Sequence, residues 1–342
     1  MSPSTSRPDR ARDILAEADP VRAFLDAHEA GDDVLLRTSG TAGVPRVVQR
    51  STRSWVDSFA AVESLTGHDS RSRVWIPAPV TGSMNLFAAV HARHLGAALA
   101  DEPRGATHWF LTPSTLQDVL QDGLRPGDRF DGVHAVVAGD RLGATLHDRA
   151  TAAGVRVSHY YGAAELSFVA WGAHEDDLRA FPGVGLDVRD GVVWARSAYL
   201  SQGYAEGAGP FACGDDGFAT VGDRGQLTGG RLRVLGRDEV VVTGGATVHV
   251  ADVEGSLRAG AIGVLAVVGI PHPRLGAVVA IALERAEDAA PLRELSRTTL
   301  APTHQPRRWY ALEPFPRTAA GKVDRAAVTA RIAAGDGVVA IP

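Results

Sequence analysis

Short runs of apolar, often β-branched residues alternate with longer stretches in which apolar residues recur at helical spacing, the pattern of an α/β protein. Val34 to Arg37, Arg73 to Ile76, Thr107 to Leu111, Val133 to Ala138 and Val155 to Tyr160 read as strands. Ser54 to Leu65, Met84 to Leu95, Pro113 to Gln121 and Ala144 to Ala153 read as the helices between them. From Val184 the pattern changes to short strand-like runs separated by turn pairs such as Asp190-Gly191 and Asp216-Gly217, which predicts an antiparallel β region. After Gly236-Arg237-Asp238 a new unit begins. Its expected strands are Val248 to Val250, Gly263 to Gly269 and Val278 to Leu283, with helices over Val253 to Arg258 and Pro291 to Leu300. The expected organisation is therefore a first domain over 1–236 and a second over 237–342.

A length of 342 residues suits two domains and a sizeable core. With 45% hydrophobic residues, 22% charged residues and a formal charge of −5, the chain has an ordinary enzyme composition without the basic excess that nucleic acid demands. Cys213 is the single cysteine, which excludes an intrachain disulfide framework and a cysteine-built zinc site and suits a reducing compartment. Met1 to Asp19 hold no apolar block of a secretory signal, and the apolar run Ala261 to Pro271 is too short to span a bilayer, so a cytoplasmic protein with no membrane partner is expected.

The densest local signal is Thr38-Ser39-Gly40-Thr41-Ala42-Gly43-Val44-Pro45-Arg46, directly after an expected strand. Glycines let backbone N–H groups approach an anion, while hydroxyls and a cation add donors, so this composition suits a phosphate-cradling loop. A polar hairpin turn is the plainer reading, because the same residues dominate ordinary turns. No Walker A spacing is present. Taken singly, Tyr161 reads as a core aromatic at a strand end, Glu165 as a solvated acid at a helix start, Gly222-Asp223 as a turn, Arg237 as an exposed ion-pair partner and Lys322 as a surface charge.

Their order changes that balance. Thr38 to Arg46, Tyr161-Gly162-Ala163-Ala164-Glu165, Val221-Gly222-Asp223-Arg224-Gly225, Leu235-Gly236-Arg237-Asp238 and Pro316-Arg317-Thr318-Ala319-Ala320-Gly321-Lys322-Val323-Asp324-Arg325 together resemble the adenylate-forming superfamily of acyl-CoA synthetases, adenylation domains and luciferases. The resemblance spans Thr38 to Arg325. It implies a large N-terminal α/β domain with a β subdomain, shortened at its N-terminus, and a small α+β C-terminal domain. It also implies that a carboxylic acid is joined to AMP from ATP and that the acyl group then passes to a thiol, that of coenzyme A or of a separate carrier protein; a homodimer is a possible assembly.

By the same resemblance, Ser39, Gly40, Thr41 and Gly43 embrace the β- and γ-phosphates, with Thr38 and Arg46 in the same nucleotide-binding set. Tyr161 and Gly162 lie at adenine, and Glu165 holds Mg²⁺, a hard cation suited to oxygen ligands. Asp223 accepts from the ribose hydroxyls. Arg237 contacts ribose or phosphate, Asp238 is the hinge, Gly244 and Gly245 line the thiol's approach, and Lys322 swings in to stabilise charge on the carboxylate and α-phosphate during adenylation.

Departures bear on the strength of this reading. Arg46 stands where the family usually has lysine, which keeps the charge and changes its geometry. Ala42, Ala164 and Val221 each replace a usual hydroxyl. The loss of three hydroxyls leaves room for a catalytically silent, nucleotide-binding relative as the alternative from another class. Only about 37 residues precede the phosphate loop. That compactness resembles the short o-succinylbenzoate:CoA ligases, which implies o-succinylbenzoate or another aryl or aliphatic acid as substrate.

Overall fold

The innermost parallel strands, His108–Leu111 and His134–Val137, are buried at every position, as strands covered by helices on two sides must be. The computed structural model describes residues 11–38, 46–122, 130–236, 239–318 and 321–342. Its central sheet has seven strands in the order Arg179–Ala180, Ser167–Gly172, Arg156–Ala163, His134–Val137, His108–Leu111, Arg73–Trp75 and Ala98–Ala100. The last five named run parallel, and the first two continue the sheet antiparallel. Helices Ser83–Leu95, Pro113–Asp122 and Ala144–Ala152 make the crossovers. One apolar cluster around Trp55, Phe87, Phe110 and Phe168 and another around Trp109, Leu116, Val137 and Leu142 pack on the sheet.

The expected helix over Ser54 to Leu65 is instead two, Arg53–Val56 and Phe59–Thr66. Buried Ser58 explains the break: its hydroxyl donates to the Trp55 carbonyl at 2.6 Å and competes with the backbone for that acceptor.

A second sheet pairs Ala11–Arg12, Asp33–Thr38, Arg46–Ser51 and Gly203–Glu206. Within it Thr38 faces Arg46 across an antiparallel pair. The third sheet, built of Gly185–Arg189, Val192–Arg196, Ala212–Cys213, Ala219–Thr220, Arg224–Thr228 and Arg231–Gly236, is antiparallel throughout, as the turn pairs predicted.

The fourth sheet is made only of strands from Val240 onward: Val240–Thr243, Ala246–His249, Leu265–His272, Gly276–Leu283, Arg308–Leu312 and Val338–Ala340. Helices Val250–Leu257, Ala289–Thr299 and Arg325–Ala334 complete it. Its two apolar clusters contain no residue before Val241. The expected strand Val248 to Val250 sits two residues earlier, and the helix begins at Val250. Its hairpin partner Val240–Thr243, joined to it by Gly244-Gly245, was not legible in the pattern. No helix among the described residues is long and apolar enough to cross a membrane.

Candidate active site

The carboxyl ends of the parallel strands collect most of the described site residues. Parallel pairing sets Val137 opposite His159, and two residues further along these two segments come Gly139 and Tyr161. The Tyr161 hydroxyl donates to Asp223 Oδ2 at 2.8 Å, which ties the central sheet to the third sheet. Asp223 belongs to a turn fixed by Thr220, whose hydroxyl donates to the Val193 carbonyl at 2.7 Å and accepts from the Gly222 amide at 3.0 Å. Val221 is fully buried in the apolar cluster with Leu166 and Leu232. A hydroxyl at that position would therefore enter the core, and the one that steadies Gly222-Asp223 comes from Thr220.

Glu165 lies in the tight turn between strands Arg156–Ala163 and Ser167–Gly172 and is 4% exposed, which corrects the reading of it as a solvated acid at a helix start. The turn forms because Gly162 lets the two strands bulge together. A Cβ there would stand 2.2 Å from the Ser167 carbonyl oxygen, so only glycine fits, and Gly162 has a backbone reason for its identity whatever it contacts. The Tyr204 hydroxyl donates to Glu165 Oε1 at 2.6 Å. Burial and the adjacent carboxylate push the Tyr204 phenol up to about 12, so it stays a donor at neutral pH. The Arg46 guanidinium lies 5.9 Å from the centre of the Tyr204 ring and donates to the Ala208 carbonyl.

Sequence reasoning missed Tyr204, Thr220 and, most of all, Arg50. The Arg50 side chain is wholly buried. Its Nε donates to Ser54 Oγ at 3.0 Å, Nη1 to the Ala164 carbonyl at 2.9 Å and Nη2 to the Tyr199 carbonyl at 2.6 Å. Burial lowers its pKa to about 9 and the charge of Glu165 partly offsets that fall, so the guanidinium remains ionised at neutral pH. Arg50 thus clamps the Glu165 turn from behind. Replacing Arg50 with methionine is expected to cost about 3 kcal/mol, because two carbonyls and the Ser54 hydroxyl lose a buried donor and Glu165 loses a nearby positive charge. Urea unfolding midpoints measure this, and a loss under about 1 kcal/mol would show that the clamp is dispensable.

Lys322 reaches the same strand ends from the other side. A Cβ on Gly139 would lie 3.1 Å from Lys322 Cε, so the bare backbone at Gly139 is what admits the lysine stem. The neighbouring Gly321 carbonyl accepts from Ser114 Oγ at 2.9 Å and Thr112 Oγ1 at 3.3 Å. Asp140 faces Lys322, Arg258 and Arg325: burial opposes its ionisation, but those cations and the Arg141 amide outweigh burial and hold its carboxyl below the usual range. Gly244 and Gly245 form the hairpin turn between Val240–Thr243 and Ala246–His249. Ser39, Gly40, Thr41, Gly43, Arg237 and Asp238 lie outside the described residues, as does Ala42.

A profile of the family described as AMP-binding enzyme matches residues 8–195, more than half of the chain. The chain belongs to the AMP-binding enzyme family. Among relatives of this family, it is 29% identical over 340 residues to a probable 2-succinylbenzoate–CoA ligase of Mycobacterium tuberculosis, covering 91% of this chain and 88% of that protein. It is 28% identical over 324 residues to the uncharacterized acyl–CoA ligase YhfT of Bacillus subtilis, covering 85% of this chain and 67% of that one. Solved structures share the fold. A variant of Escherichia coli MenE with bound OSB-AMS superposes with a TM-score of 0.76 at 22% identity, over 88% of this chain and 69% of that chain. ATP-bound MatB from Rhodopseudomonas palustris gives 0.74 at 22% identity, over 88% and 68%. The fold is that of the adenylate-forming enzymes.

Proposed function

We propose that this AMP-binding enzyme is an ATP-dependent carboxylate ligase that forms an acyl-adenylate and passes the acyl group to the thiol of coenzyme A, with o-succinylbenzoate or a related aryl acid as substrate. The observation that carries the reading is the arrival of Lys322 at the strand ends beside Gly139, where the neighbouring strand presents Tyr161 and its partner Asp223. The relatives named 2-succinylbenzoate–CoA ligase support the substrate class.

Joining a carboxylate to a triphosphate brings two anions together, so neutralising charge is the main task of the site. Lys322 supplies an ammonium at the carboxylate and α-phosphate. The carboxylate oxygen then bonds to the α-phosphorus as the bond to pyrophosphate breaks. Asp223 Oδ1 accepts from ribose while Oδ2 keeps the Tyr161 hydroxyl, and the Tyr161 ring lies at adenine.

A cation in this reaction would be held by one carboxylate and the substrate's phosphates. Glu165 suits that part: it is buried, and Tyr204 engages only its Oε1. Magnesium bound there would supply charge neutralisation on the triphosphate.

In this reading the chain works as two domains, 1–236 and 237–342, joined at Arg237-Asp238. Thiolation would follow a rotation that withdraws Lys322 and brings Gly244-Gly245 to the thiol path.

Pyrophosphate release measured across aryl, succinyl-aryl and fatty acids, with and without coenzyme A, tests the reading. Release that requires an acid, with a thioester appearing only when coenzyme A is added, is the expected result. ATP binding without release for any acid would leave the silent-relative reading in its place.

A further inference from the structure

The loop that carries Lys322 is gripped on both sides by the start and one face of helix Pro113–Asp122. At one end the Gly321 carbonyl takes hydrogen bonds from Ser114 and Thr112. At the other, Arg317 Nη1 donates to Asp118 Oδ2 at 2.9 Å and Nη2 lies 3.3 Å from Oδ1, a forked pairing. Ser114 and Asp118 are four residues apart and so stand one above the other on the helix.

The loop meets that face as a preformed body. The Thr318 amide donates to the Lys322 carbonyl at 2.7 Å, the Gly321 amide to the Thr318 carbonyl at 2.8 Å, and Arg317 bridges Val323. Arg317 is further anchored within its own half: Glu284 Oε1 accepts its Nη2 at 2.7 Å, while Glu284 Oε2 accepts the Val264 amide at 3.0 Å. If Asp118 lets go, Arg317 therefore stays paired with Glu284, and its charge is never left bare. A contact that can open at so little local cost is suited to reversible docking.

We propose that Ser114 and Asp118 form a latch that selects the orientation in which Lys322 stands at the strand ends, with Asp118 as a positioning residue for adenylate formation. The assignment rests on the two-step ligase reading. The latch bonds to the loop in the orientation observed, so it shifts the population toward the adenylating state by whatever docking free energy it does not recover in another orientation. Asp118 and Arg317 have side-chain exposures of 47% and 19%, so the pair is accessible enough to exchange with water when the loop departs.

Two measurements on the full chain test this. In the first, single-turnover acyl-adenylate formation and thioester formation from synthetic acyl-adenylate are compared for wild type, Asp118→Asn, Ser114→Ala and the double variant. Adenylate formation is expected to fall about threefold to fivefold in each single variant and about tenfold in the double, with thioester formation unchanged or faster. In the second, spin labels on Cys213, an exposed native cysteine, and on an Ala334→Cys variant at the exposed end of helix Arg325–Ala334 report the distance between the halves. The double variant is expected to add a second distance population.

An unchanged distance distribution overturns the latch, as does a broadened one with adenylate formation intact or with both half-reactions equally slowed. A wild type that releases no pyrophosphate with any acid, while the double variant still broadens the distances, would keep the latch as a docking device and remove the ligase reading.

Discussion

Replacing Lys322 with alanine is expected to slow acyl-adenylate formation by at least about 100-fold while leaving transfer of a preformed adenylate to coenzyme A within about threefold of wild type. The size follows from what an ammonium does where charge builds up: a single donor aimed at a developing oxyanion is worth about 2.7–4 kcal/mol. The selectivity follows from position. Lys322 stands at Gly139 with its loop docked on Thr112 and Ser114, and the proposed thiolation orientation removes it from the strand ends. Rapid-quench measurement of each half-reaction reads both rates separately. Equal losses in the two steps would sink the idea that Lys322 serves one of them alone. The Lys322→Arg variant should recover part of the rate, because it restores charge on a broader head that the Gly139 backbone does not fully accommodate.

Acid is expected to destabilise the protein steeply between pH 6.5 and about 4, through histidines the proposed reaction does not use. His68, His91, His108 and His134 lie together at 7% exposure or less between helices Phe59–Thr66 and Ser83–Leu95 and the central sheet. His108 Nε2 and His134 Nδ1 both point at the Thr66 carbonyl, 3.2 and 3.0 Å away, and since a carbonyl only accepts, both must donate. Neutral His134 then accepts from the Ser158 hydroxyl through Nε2, and neutral His108 from Thr107 through Nδ1. His68 and His91 meet nitrogen to nitrogen at 3.3 Å, which allows one proton between them.

Burial pushes His68 and His91 down to about 3 and His134 to about 4, and lowers His108 as well; His159, buried under the same sheet, falls to about 4. These groups sit below the unfolded value of about 6.5. Above pH 6.5 both states are neutral and the full stability is present. As the pH falls from there, the unfolded chain takes up protons the folded one refuses, so stability drops until the folded pKa values are reached. Well inside that window each such histidine costs about 1.4 kcal/mol per pH unit. Several together rival the whole stability of an ordinary domain, about 5–15 kcal/mol. Urea midpoints from pH 8 to 5 measure the slope, and His91→Gln should flatten it. A midpoint independent of pH over this range would show that the buried rings do take up protons in the folded state.

What the chain's pattern disclosed depended on whether the physical cause was local. Strands such as His134–Val137 are buried on both faces and therefore show as unbroken apolar runs. Strand Arg46–Ser51 hid its nature because one of its buried positions is Arg50, a residue type that patterning assigns to solvent. Val240–Thr243 lies inside the sheet, between Ala246–His249 and Gly276–Leu283, yet it has valine at exposed positions 240 and 242 as well as at buried 241, so its sequence lacks the contrast between faces that marks a strand. Ala163, Ala164 and Glu165 favour helix taken alone, yet the pairing of the flanking strands forces a turn, and tertiary contact overrode propensity.

The site shows the same division. Ordered local wording pointed to Tyr161, Glu165, Asp223 and Lys322, whereas the partners that orient them could not be read. Tyr204 meets Glu165 across 39 positions and Arg50 meets the Tyr199 carbonyl across 149, and no local signal encodes such a meeting. The phosphate-loop reading rests on the wording of Thr38 to Arg46, of which Thr38 and Arg46 face each other across an antiparallel pair while 39–45 lie outside the described residues.

Among the described residues, the apolar clusters of the fourth sheet draw on nothing before Val241. Substitutions that repack those clusters have their packing effect mainly within that part of the chain, since such effects fade with distance. Descent with modification can therefore retune the surfaces by which the halves meet, one side at a time, without disturbing either interior.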